Sequence, residues 1–276
     1  ALHYGTGVFE GIRAYPSDDN LHLFRLRDHM QRLLDSAKVY YLETKYTVEE
    51  LSNAAVELLR RNKIREMAYV RPIIYVGYGG IGLDFTGFPI KAAICAVNFG
   101  KYFDKPSLKI CTSSWRRISD TSMPPLAKAS GNYLNSVLAK FEALKNGYDD
   151  AILLDQQGFV SEGSGENIFI IEDGKLLTPP ISSSILKGIT RDTVMKMAAD
   201  LDIEAQERLI TRIQLYLCDE AFFTGTAAEI AAITEVDGRM IGDGKPGKMT
   251  MLLKDAYTKI VKGGNEKYLH WLTSVY

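Results

Sequence analysis

The chain has 276 residues, of which 46% are hydrophobic and 24% charged, with a formal net charge of −1. This balance gives no electrostatic reason to expect nucleic acid or an anionic membrane as a partner. No apolar run approaches the ~20 residues that span a bilayer, and no signal peptide is visible.

Length and cysteine usage set the next expectations. A chain of this length favours two domains over a single core. Its three cysteines are scattered, lack CxxC spacing and are odd in number, which predicts reduced thiols in a cytoplasmic protein. No metal ligand set is predicted. Because the chain starts at Ala1 without Met and enters the motif LHYGTGVFEG at once, we expect a segment upstream of it.

Residues 1–98 are expected to form a small N-terminal α/β domain. A T-x-x-E capping box marks the start of its second helix. The predicted elements are a strand at His22–Arg25, helices at Leu26–Leu42 and from Thr47 to about Arg61, and strands at Met67–Gly77 and Ile90–Phe99. Residues 99–106 mix Gly, Pro, aromatic and charged residues, as is typical of an interdomain loop.

Residues 107–276 are expected to form a larger C-terminal domain. The predicted elements are, in chain order, a strand at Leu108–Ser113, a helix at Asn132–Lys145, strands at Ala151–Asp155 and Ile168–Ile171, a hairpin turn at Asp173–Gly174, helices after Gly188 and Thr211, a strand at Glu220–Thr224 and a helix at about Met249–Val261. Because the strands do not alternate strictly with helices, the pattern favours α+β domains over a doubly wound sheet.

The segment SEGSGEN, residues 161–167, places Glu162 and Glu166 among small residues between two apolar strands. A carboxylate beside glycines can approach a ligand closely, because glycine keeps side-chain bulk away from the backbone. A carboxylate is also the group that keeps a pyridine nitrogen protonated when it lies opposite that nitrogen. The segment therefore indicates a ligand site.

Two further turns are suited to anions. In LKGITRD, Gly188 allows close approach, and the amides of Ile189 and Thr190 would open a helix with its positive end outward. In TGTAAE, the amides of Thr226 and Ala227 would be available for a phosphate or a carboxylate. Taken singly, each motif has a simpler interpretation, since Thr190 could merely cap a helix and TGTAAE could be an ordinary tight turn.

A nucleotide is not indicated, because GxxxxGK[ST] and a convincing GxGxxG are missing. A phosphorylated cofactor that binds covalently to a lysine remains. Lys128 is the candidate, since prolines precede it and small residues flank it just before a helix. Its simpler interpretation is a solvated surface lysine.

Taken together and in order, LHYGTGVFEGIR, HMQRLLDSA, YVRP, AKASGNYLNS, SEGSGENIF, GITRD and TGTAAE resemble the class IV pyridoxal-phosphate (PLP) aminotransferases, and most of all the branched-chain amino acid type. The resemblance runs from Leu2 to about Gly247. It implies a two-domain α+β fold of type IV, similar to D-amino acid aminotransferase, with the active site in the interdomain cleft. It also implies a homo-oligomer, at least a dimer.

The resemblance implies that the amino group of L-leucine, L-isoleucine or L-valine passes to 2-oxoglutarate through a PLP Schiff base on Lys128, giving branched 2-oxo acids and L-glutamate. Glu162 would pair with the pyridine nitrogen, Tyr133 with the ring hydroxyl, and Leu186 would pack on the ring face. The implied phosphate-binding set is Arg32, Ile189, Thr190 and Thr226. The implied substrate-binding set is Tyr4, Phe9, Tyr69, Arg71, Phe99 and Tyr102, with Thr226 and Ala227 on the α-carboxylate and Leu83 reaching into the neighbouring subunit's site.

Three alternatives stay open at this stage. A D-amino acid or broad-specificity amine transaminase would share Lys128 and Glu162, but the Arg-x-His carboxylate trap usual in D-amino acid transaminases is missing after Arg71. The related aminodeoxychorismate lyases keep no Tyr-x-Arg pair such as Tyr69 and Arg71. A PLP-binding protein without catalysis is disfavoured by the intact Lys128, Glu162 and Tyr133.

Overall fold

The computed structural model describes residues 1–17, 20–100 and 102–276, so Lys101 of the predicted loop lies outside the described residues. The strands are β1 Gly7–Phe9, β2 Ile12–Ser17, β3 Asn20–Phe24, β4 Ala68–Val76, β5 Ile90–Asn98, β6 Leu108–Arg116, β7 Asp150–Leu154, β8 Val160–Gly163, β9 Asn167–Glu172, β10 Lys175–Thr178, β11 Ala205–Glu207, β12 Glu220–Gly225, β13 Glu229–Val236, β14 Arg239–Met240 and β15 Leu272–Ser274. The α-helices are α1 Leu26–Val39, α2 Val48–Arg61, α3 Tyr133–Lys145, α4 Ile189–Asp200, α5 Arg212–Leu217 and α6 Lys248–Val261.

The chain divides into two compact units. Unit 1 contains residues 1–100, 127–133 and 259–276, and unit 2 contains residues 101–126 and 134–258. The short segment 127–133, which carries Lys128, therefore packs with unit 1 although its neighbours along the chain on both sides belong to unit 2. The domain boundaries expected from the sequence, at 1–98, 99–106 and 107–276, stay a prediction.

Unit 1 is built on an antiparallel sheet. β1 and β2 pair with successive stretches of the same edge of β4, β1 opposite Ile73–Tyr75 and β2 opposite Ala68–Val70. β5 pairs with the other edge of β4 along its length. The gap between β1 and β2 holds Glu10, whose amide donates to Pro72 O at 2.9 Å and whose side chain is fully buried. The sheet thus places a carboxylate inside the unit at a break between strands.

The helices of unit 1 cover this sheet with apolar stripes at helical spacing. α1 buries Leu26, Met30, Leu33 and Ala37, and α2 buries residues from Leu51 to Leu59 in the same core. Each fully buried leucine contributes roughly 1.5–3 kcal/mol relative to an exposed one. The predicted capping box of α2 is confirmed, with the Thr47 and Glu50 side chains each bonding the other's backbone amide.

Unit 2 is built on a mixed sheet in the order β11-β10-β9-β12-β13-β6-β7-β8, with β14 on β13. The pairs β10–β11, β13–β6 and β6–β7 are parallel, and the other pairs are antiparallel. Asn167 at the start of β9 pairs with Thr224 near the end of β12. The part of SEGSGEN that leads into β9 and the turn of TGTAAE that follows β12 therefore lie at the same end of these two neighbouring strands.

The predicted long elements are present with ends shifted by one to three residues. The strands β1, β2, β8, β11, β13, β14 and β15 were not predicted. The predicted turn at Asp173–Gly174 is confirmed by positive φ angles at both residues, 51° and 73°.

Burial raises the pKa of Cys111 to about 11 and that of Cys218 to about 12, so these thiols stay protonated at neutral pH. Within the described ranges, no helix has the length and apolar character to cross a membrane.

Candidate active site

Both backbone groups of Lys128, its amide and its carbonyl, are hydrogen-bonded to other residues of unit 1. Its amide donates to Ser36 Oγ at 3.0 Å, and its carbonyl accepts from the amide of Phe9 at 3.0 Å. Its Nζ donates to Tyr133 Oη at 2.6 Å. The side chain is half-buried, so the amine is fixed in place yet reachable by a ligand. The surface-lysine interpretation of Lys128 is wrong.

Aromatic rings surround the amine of Lys128. Nζ lies 5.0 Å from the centroids of both Phe9 and Tyr133, within the range of a cation–π contact. The two rings lie 4.8 Å apart at an interplanar angle of 60°. The predicted residues Phe9, Lys128 and Tyr133 therefore form one contiguous group.

Three more of the predicted substrate residues adjoin this group. The guanidinium of Arg71 lies 4.7 Å from the Phe9 centroid, and its Nη2 donates to Tyr69 Oη at 3.1 Å. The rings of Tyr69 and Phe99 lie 5.0 Å apart. Arg71 Nε is buried without a hydrogen-bond partner. Unit 1 thus combines apolar ring faces with a cation, which suits a ligand that carries both an apolar part and a carboxylate.

Arg32 is held by a buried carboxylate that the sequence analysis did not identify. Glu10 accepts from Arg32 Nε at 2.6 Å and from Nη2 at 2.9 Å, and His29 Nδ1 lies 2.7 Å from Glu10 Oε2. Burial alone would raise the pKa of Glu10, but Arg32 and His29 outweigh it and hold that pKa well below its usual value. Burial, the largest influence, lowers the pKa of His29, which favours a neutral imidazole that donates from Nδ1.

The sequence contained a signal for two of the residues that support the site, His29 and Ser36. His29 and Ser36 fall on the buried stripe of α1, at positions where the spacing calls for apolar side chains. A polar residue on such a stripe is satisfied by a partner inside the protein. Here His29 meets Glu10, and Ser36 meets the backbone of Lys128. Polar residues on the buried face of α1 therefore indicate the side chains that hold the site residues in place.

Glu162 is buried in unit 2 and fully engaged. Oε1 pairs with Arg117 Nη2 at 2.9 Å, and Oε2 accepts from Asn167 Nδ2 at 2.9 Å and from the Leu186 amide at 3.0 Å. Hydrogen bonds to a carboxylate favour its ionised form. Neither Arg117 nor Asn167 was predicted. The arrangement presents a fixed anion, which is the chemistry expected opposite a protonated pyridine nitrogen.

The turn at Gly188 starts α4 as predicted. Gly188 is the N-cap, no side chain caps the helix, and Ile189 and Thr190 are its first, buried residues. The alternative in which Thr190 caps this helix is therefore wrong. Leu186 is tied to the same region, since its carbonyl accepts from Asn167 at 2.8 Å.

The other predicted residues occupy separate places. In unit 2, Tyr102 and Ala227 line one cavity of about 390 Å³, and Thr226 lies in the adjoining turn. In unit 1, Tyr4 lines a different cavity of about 660 Å³, whose other residues include Tyr75 and Phe88. Leu83 is 79% exposed. The roles implied for Tyr4 and Leu83 stay predictions.

Glu166, the second acid of SEGSGEN, differs from Glu162. Burial, assisted by Asp150, raises its pKa from 4.5 to about 8. Its Oε2 accepts from the amide of Gly165 at 2.9 Å. At neutral pH this carboxyl group is therefore mostly protonated and uncharged.

The raised pKa of Glu166 gives a pH-dependent contribution to stability. Because the folded state retains the proton longer than the unfolded state, this contribution is complete below pH 4.5 and is lost as the pH rises to about 8. Glutamine does not titrate, so Glu166→Gln should not show this decline. The free energy of unfolding of the variant minus that of wild type should therefore increase from pH 5 to pH 8. Urea unfolding at pH 5, 6.5 and 8 measures this, and a difference independent of pH would contradict it.

Comparison with known proteins identifies the family. Residues 7–236 match the model of the family described as amino-transferase class IV. The chain is 44% identical to the branched-chain-amino-acid aminotransferase of Escherichia coli (strain K12) and to the probable branched-chain-amino-acid aminotransferase of Aquifex aeolicus (strain VF5). Each match covers 100% of this chain and 90% of the relative.

Solved structures agree. The branched-chain aminotransferase of Thermoproteus uzoniensis with norvaline has a TM-score of 0.97 at 52% identity, covering 100% of this chain and 92% of that one. The branched-chain amino acid aminotransferase of Thermobaculum terrenum in its PLP-bound form has a TM-score of 0.95 at 39% identity, covering 99% and 90%. The predicted fold type is confirmed. The chain belongs to the class IV aminotransferases, whose members depend on PLP.

Proposed function

We propose that this chain is a branched-chain-amino-acid aminotransferase that transfers the amino group of L-leucine, L-isoleucine or L-valine to 2-oxoglutarate. The observation that carries the proposal is the amine of Lys128, which is hydrogen-bonded to Tyr133 and lies 5.0 Å from the centre of the Phe9 ring, with Arg71 4.7 Å from the centre of the same ring. The names of the relatives support it, since they specify the branched-chain reaction.

The residues present fit PLP as a chemical set. Lys128 offers an amine for the aldehyde, Tyr133 a hydroxyl for the ring oxygen, and Glu162 a buried anion for the pyridine nitrogen. Leu186 is the apolar residue proposed for the ring face. When bound, PLP supplies an electron sink that stabilises negative charge at the substrate Cα.

Phosphate is an anion, so its binding is assigned to a positively charged side chain and to groups that donate hydrogen bonds. We assign it to Arg32, fixed by Glu10, together with the amides of Ile189 and Thr190 at the uncapped start of α4 and with Thr226. A helix N-terminus favours an anion, because its first amides point out of the helix toward the positive end of the helix dipole. The Thr226–Ala227 turn is also proposed to bind the substrate α-carboxylate.

Lys128 moves the proton in this scheme. With PLP and substrate bound, Nζ of Lys128 would accept the proton from the substrate Cα and later return it as an acid. Tyr133 Oη, 2.6 Å from Nζ, keeps the amine in position between these events. The same residue thus serves first as a nucleophile and then as a base.

Substrate choice follows from the lining in unit 1. Phe9, Tyr69 and Phe99 provide apolar surface for a branched side chain. Tyr4 in unit 1 and Tyr102 in unit 2 are proposed as further substrate-binding residues. Arg71 provides the partner for the distal carboxylate of glutamate and 2-oxoglutarate. One pocket can therefore alternate between an apolar and an acidic substrate.

Arg71→Leu should separate the two half-reactions. Losing a hydrogen bond to a charged group weakens binding by about 10- to 100-fold, so KM for 2-oxoglutarate should rise by that factor. The leucine half-reaction, followed in single turnovers, should change by only a few-fold. Equal losses for leucine and 2-oxoglutarate would contradict this assignment of Arg71.

The direct test is to mix the enzyme, PLP, leucine and 2-oxoglutarate and to measure glutamate. D-Alanine and an aromatic amino acid are compared under the same conditions. We expect leucine, isoleucine and valine to be the best donors. A preference for D-alanine would favour the D-amino acid transaminase alternative, and the absence of any glutamate would favour the non-catalytic one; the relatives favour neither.

Assembly and location complete the proposal. We propose a homodimer in which Leu83, exposed in the region between β4 and β5, reaches the partner's site. The free cysteines Cys95, Cys111 and Cys218 accord with a reducing, cytoplasmic location.

A further inference from the structure

We propose that Asn167 is a positioning residue that keeps three parts of unit 2 in a single arrangement. These parts are the candidate partner of the pyridine nitrogen, Glu162, the candidate ring-packing residue, Leu186, and the anion-binding turn that starts at Gly188. The inference rests on the proposed function, because it concerns how that cofactor site is held.

One amide group joins the first two parts. Asn167 Nδ2 donates to Glu162 Oε2 at 2.9 Å and to the Leu186 carbonyl at 2.8 Å. The Leu186 amide donates to the same Glu162 oxygen at 3.0 Å. Both N–H bonds of the amide are therefore used, and the three residues form a closed ring of hydrogen bonds. An aspartate or a leucine at position 167 would provide neither donor.

The oxygen of the Asn167 side-chain amide explains why residue 188 is a glycine. A Cβ built on Gly188 would lie 1.9 Å from Asn167 Oδ1 and 3.1 Å from its Cγ. The φ of Gly188 is −67°, which any residue can adopt, so backbone conformation does not require glycine here. Gly188 instead provides the space in which the Asn167 amide lies. The start of α4 is thereby packed directly against the residue that holds Glu162.

The backbone of Asn167 is itself fixed. It begins β9 and pairs with Thr224 of β12, and its side chain is buried. Arg117 holds the second oxygen of Glu162 from the other side, at 2.9 Å. With both oxygens committed, the carboxylate has one orientation.

Removing the amide should therefore change the protonation of the bound cofactor. Without Asn167, Glu162 keeps Arg117 and the Leu186 amide but loses one donor to Oε2 and its fixed orientation, so the anion assigned to the pyridine nitrogen is no longer held in place. Gly188→Ala should have the same effect by a different route, since the new methyl group displaces the amide. The two substitutions should not add, because the amide can be lost only once.

The experiment uses holoenzyme prepared with PLP that carries ¹⁵N in the ring, so that the ¹⁵N chemical shift reports whether the nitrogen is protonated. Wild type is compared with Asn167→Ala, Gly188→Ala and the double variant. Asn146→Ala is the control, since it removes an exposed asparagine side chain whose amide donates to the Glu142 carbonyl just after α3, outside the assigned site. Dissociation constants for PLP and thermal unfolding are measured on the same samples.

Wild type and Asn146→Ala should show a protonated nitrogen. Asn167→Ala and Gly188→Ala should each move the resonance toward the unprotonated position and weaken PLP binding about 10- to 100-fold. The double variant should be no weaker than Asn167→Ala alone. If Asn167→Ala does not fold, Gly188→Ala, which retains the asparagine, decides the question.

An unchanged resonance in Asn167→Ala or Gly188→Ala, or additive losses in the double variant, would overturn the role of Asn167. Failure of the proposed function has a different signature. In that case wild type itself would bind no PLP, or would bind it with an unprotonated nitrogen.

Discussion

Replacing Lys128 with alanine is expected to lower the rate of transamination by about four orders of magnitude or more, because the substitution removes both the nucleophile and the base. The loss should appear in kcat, since the residue acts on the reacting atoms. The fold should survive, because the backbone of Lys128 is held through its amide and carbonyl, which alanine retains. Glutamate formation from leucine and 2-oxoglutarate is the measurement.

The matched control for this prediction is Lys145→Ala, which removes an exposed lysine from the last turn of α3. It should keep wild-type activity. A Lys128→Ala protein with wild-type thermal stability and activity within ten-fold of wild type would show that another group carries out the proton transfer.

Glu10→Gln is expected to destabilise the protein by about 3–5 kcal/mol and to weaken PLP binding. The change removes a fully buried charge and leaves Arg32, which is 15% exposed, without its counter-charge. Breaking a buried ion pair by removing one partner has a cost of this size. Cofactor affinity should fall as well, because Arg32 is no longer held in the orientation assigned to phosphate binding. Urea unfolding and PLP titration measure the two effects.

The control for Glu10→Gln is Glu49→Gln. Glu49 pairs with Arg27 on the surface, where the two side chains are 60% and 67% exposed. Exposed pairs of this kind contribute only about 0–1 kcal/mol. If both substitutions had the same effect, the buried group of Glu10, His29 and Arg32 would have no special importance for stability.

The pKa of Glu10 adds a signature in pH. Because the folded-state pKa lies well below its ordinary value of 4.5, the contribution of Glu10 is present above pH 4.5 and is lost as the pH falls toward the folded-state pKa. The free energy of unfolding of wild type should therefore decline below about pH 4.5 more steeply than that of Glu10→Gln. Parallel curves for the two proteins would contradict this.

The parts of the site that the sequence predicted are the residues proposed to contact the ligand. Lys128, Tyr133 and Glu162 lie in distinctive motifs, and the structure gives each a polar partner that holds it in place. The long amphipathic helices were also predictable, because their apolar spacing repeats over several turns, as in α1 and α2.

The residues that hold the ligand-binding groups were not predicted. Glu10, Arg117 and Asn167 act through contacts across 22, 45 and 5 positions of sequence, respectively, to Arg32 or Glu162. The contacts of Glu10 and Arg117 depend on how strands and helices pack, and the contact of Asn167 depends on the turn between β8 and β9, so the motifs did not reveal these partners. Short strands such as β8, with four residues, are missed for the same reason, because their pairing partners define them.

The measurement that tests the central claim most directly is reduction of the PLP-loaded enzyme with borohydride, followed by proteolysis and mass spectrometry of the peptides. Reduction fixes the cofactor to the amine that holds it. The account predicts a single phosphopyridoxyl group on the peptide that contains Lys128, and its loss when leucine is added before reduction. A label on a different lysine, or no label on an enzyme that still binds PLP, would contradict the account.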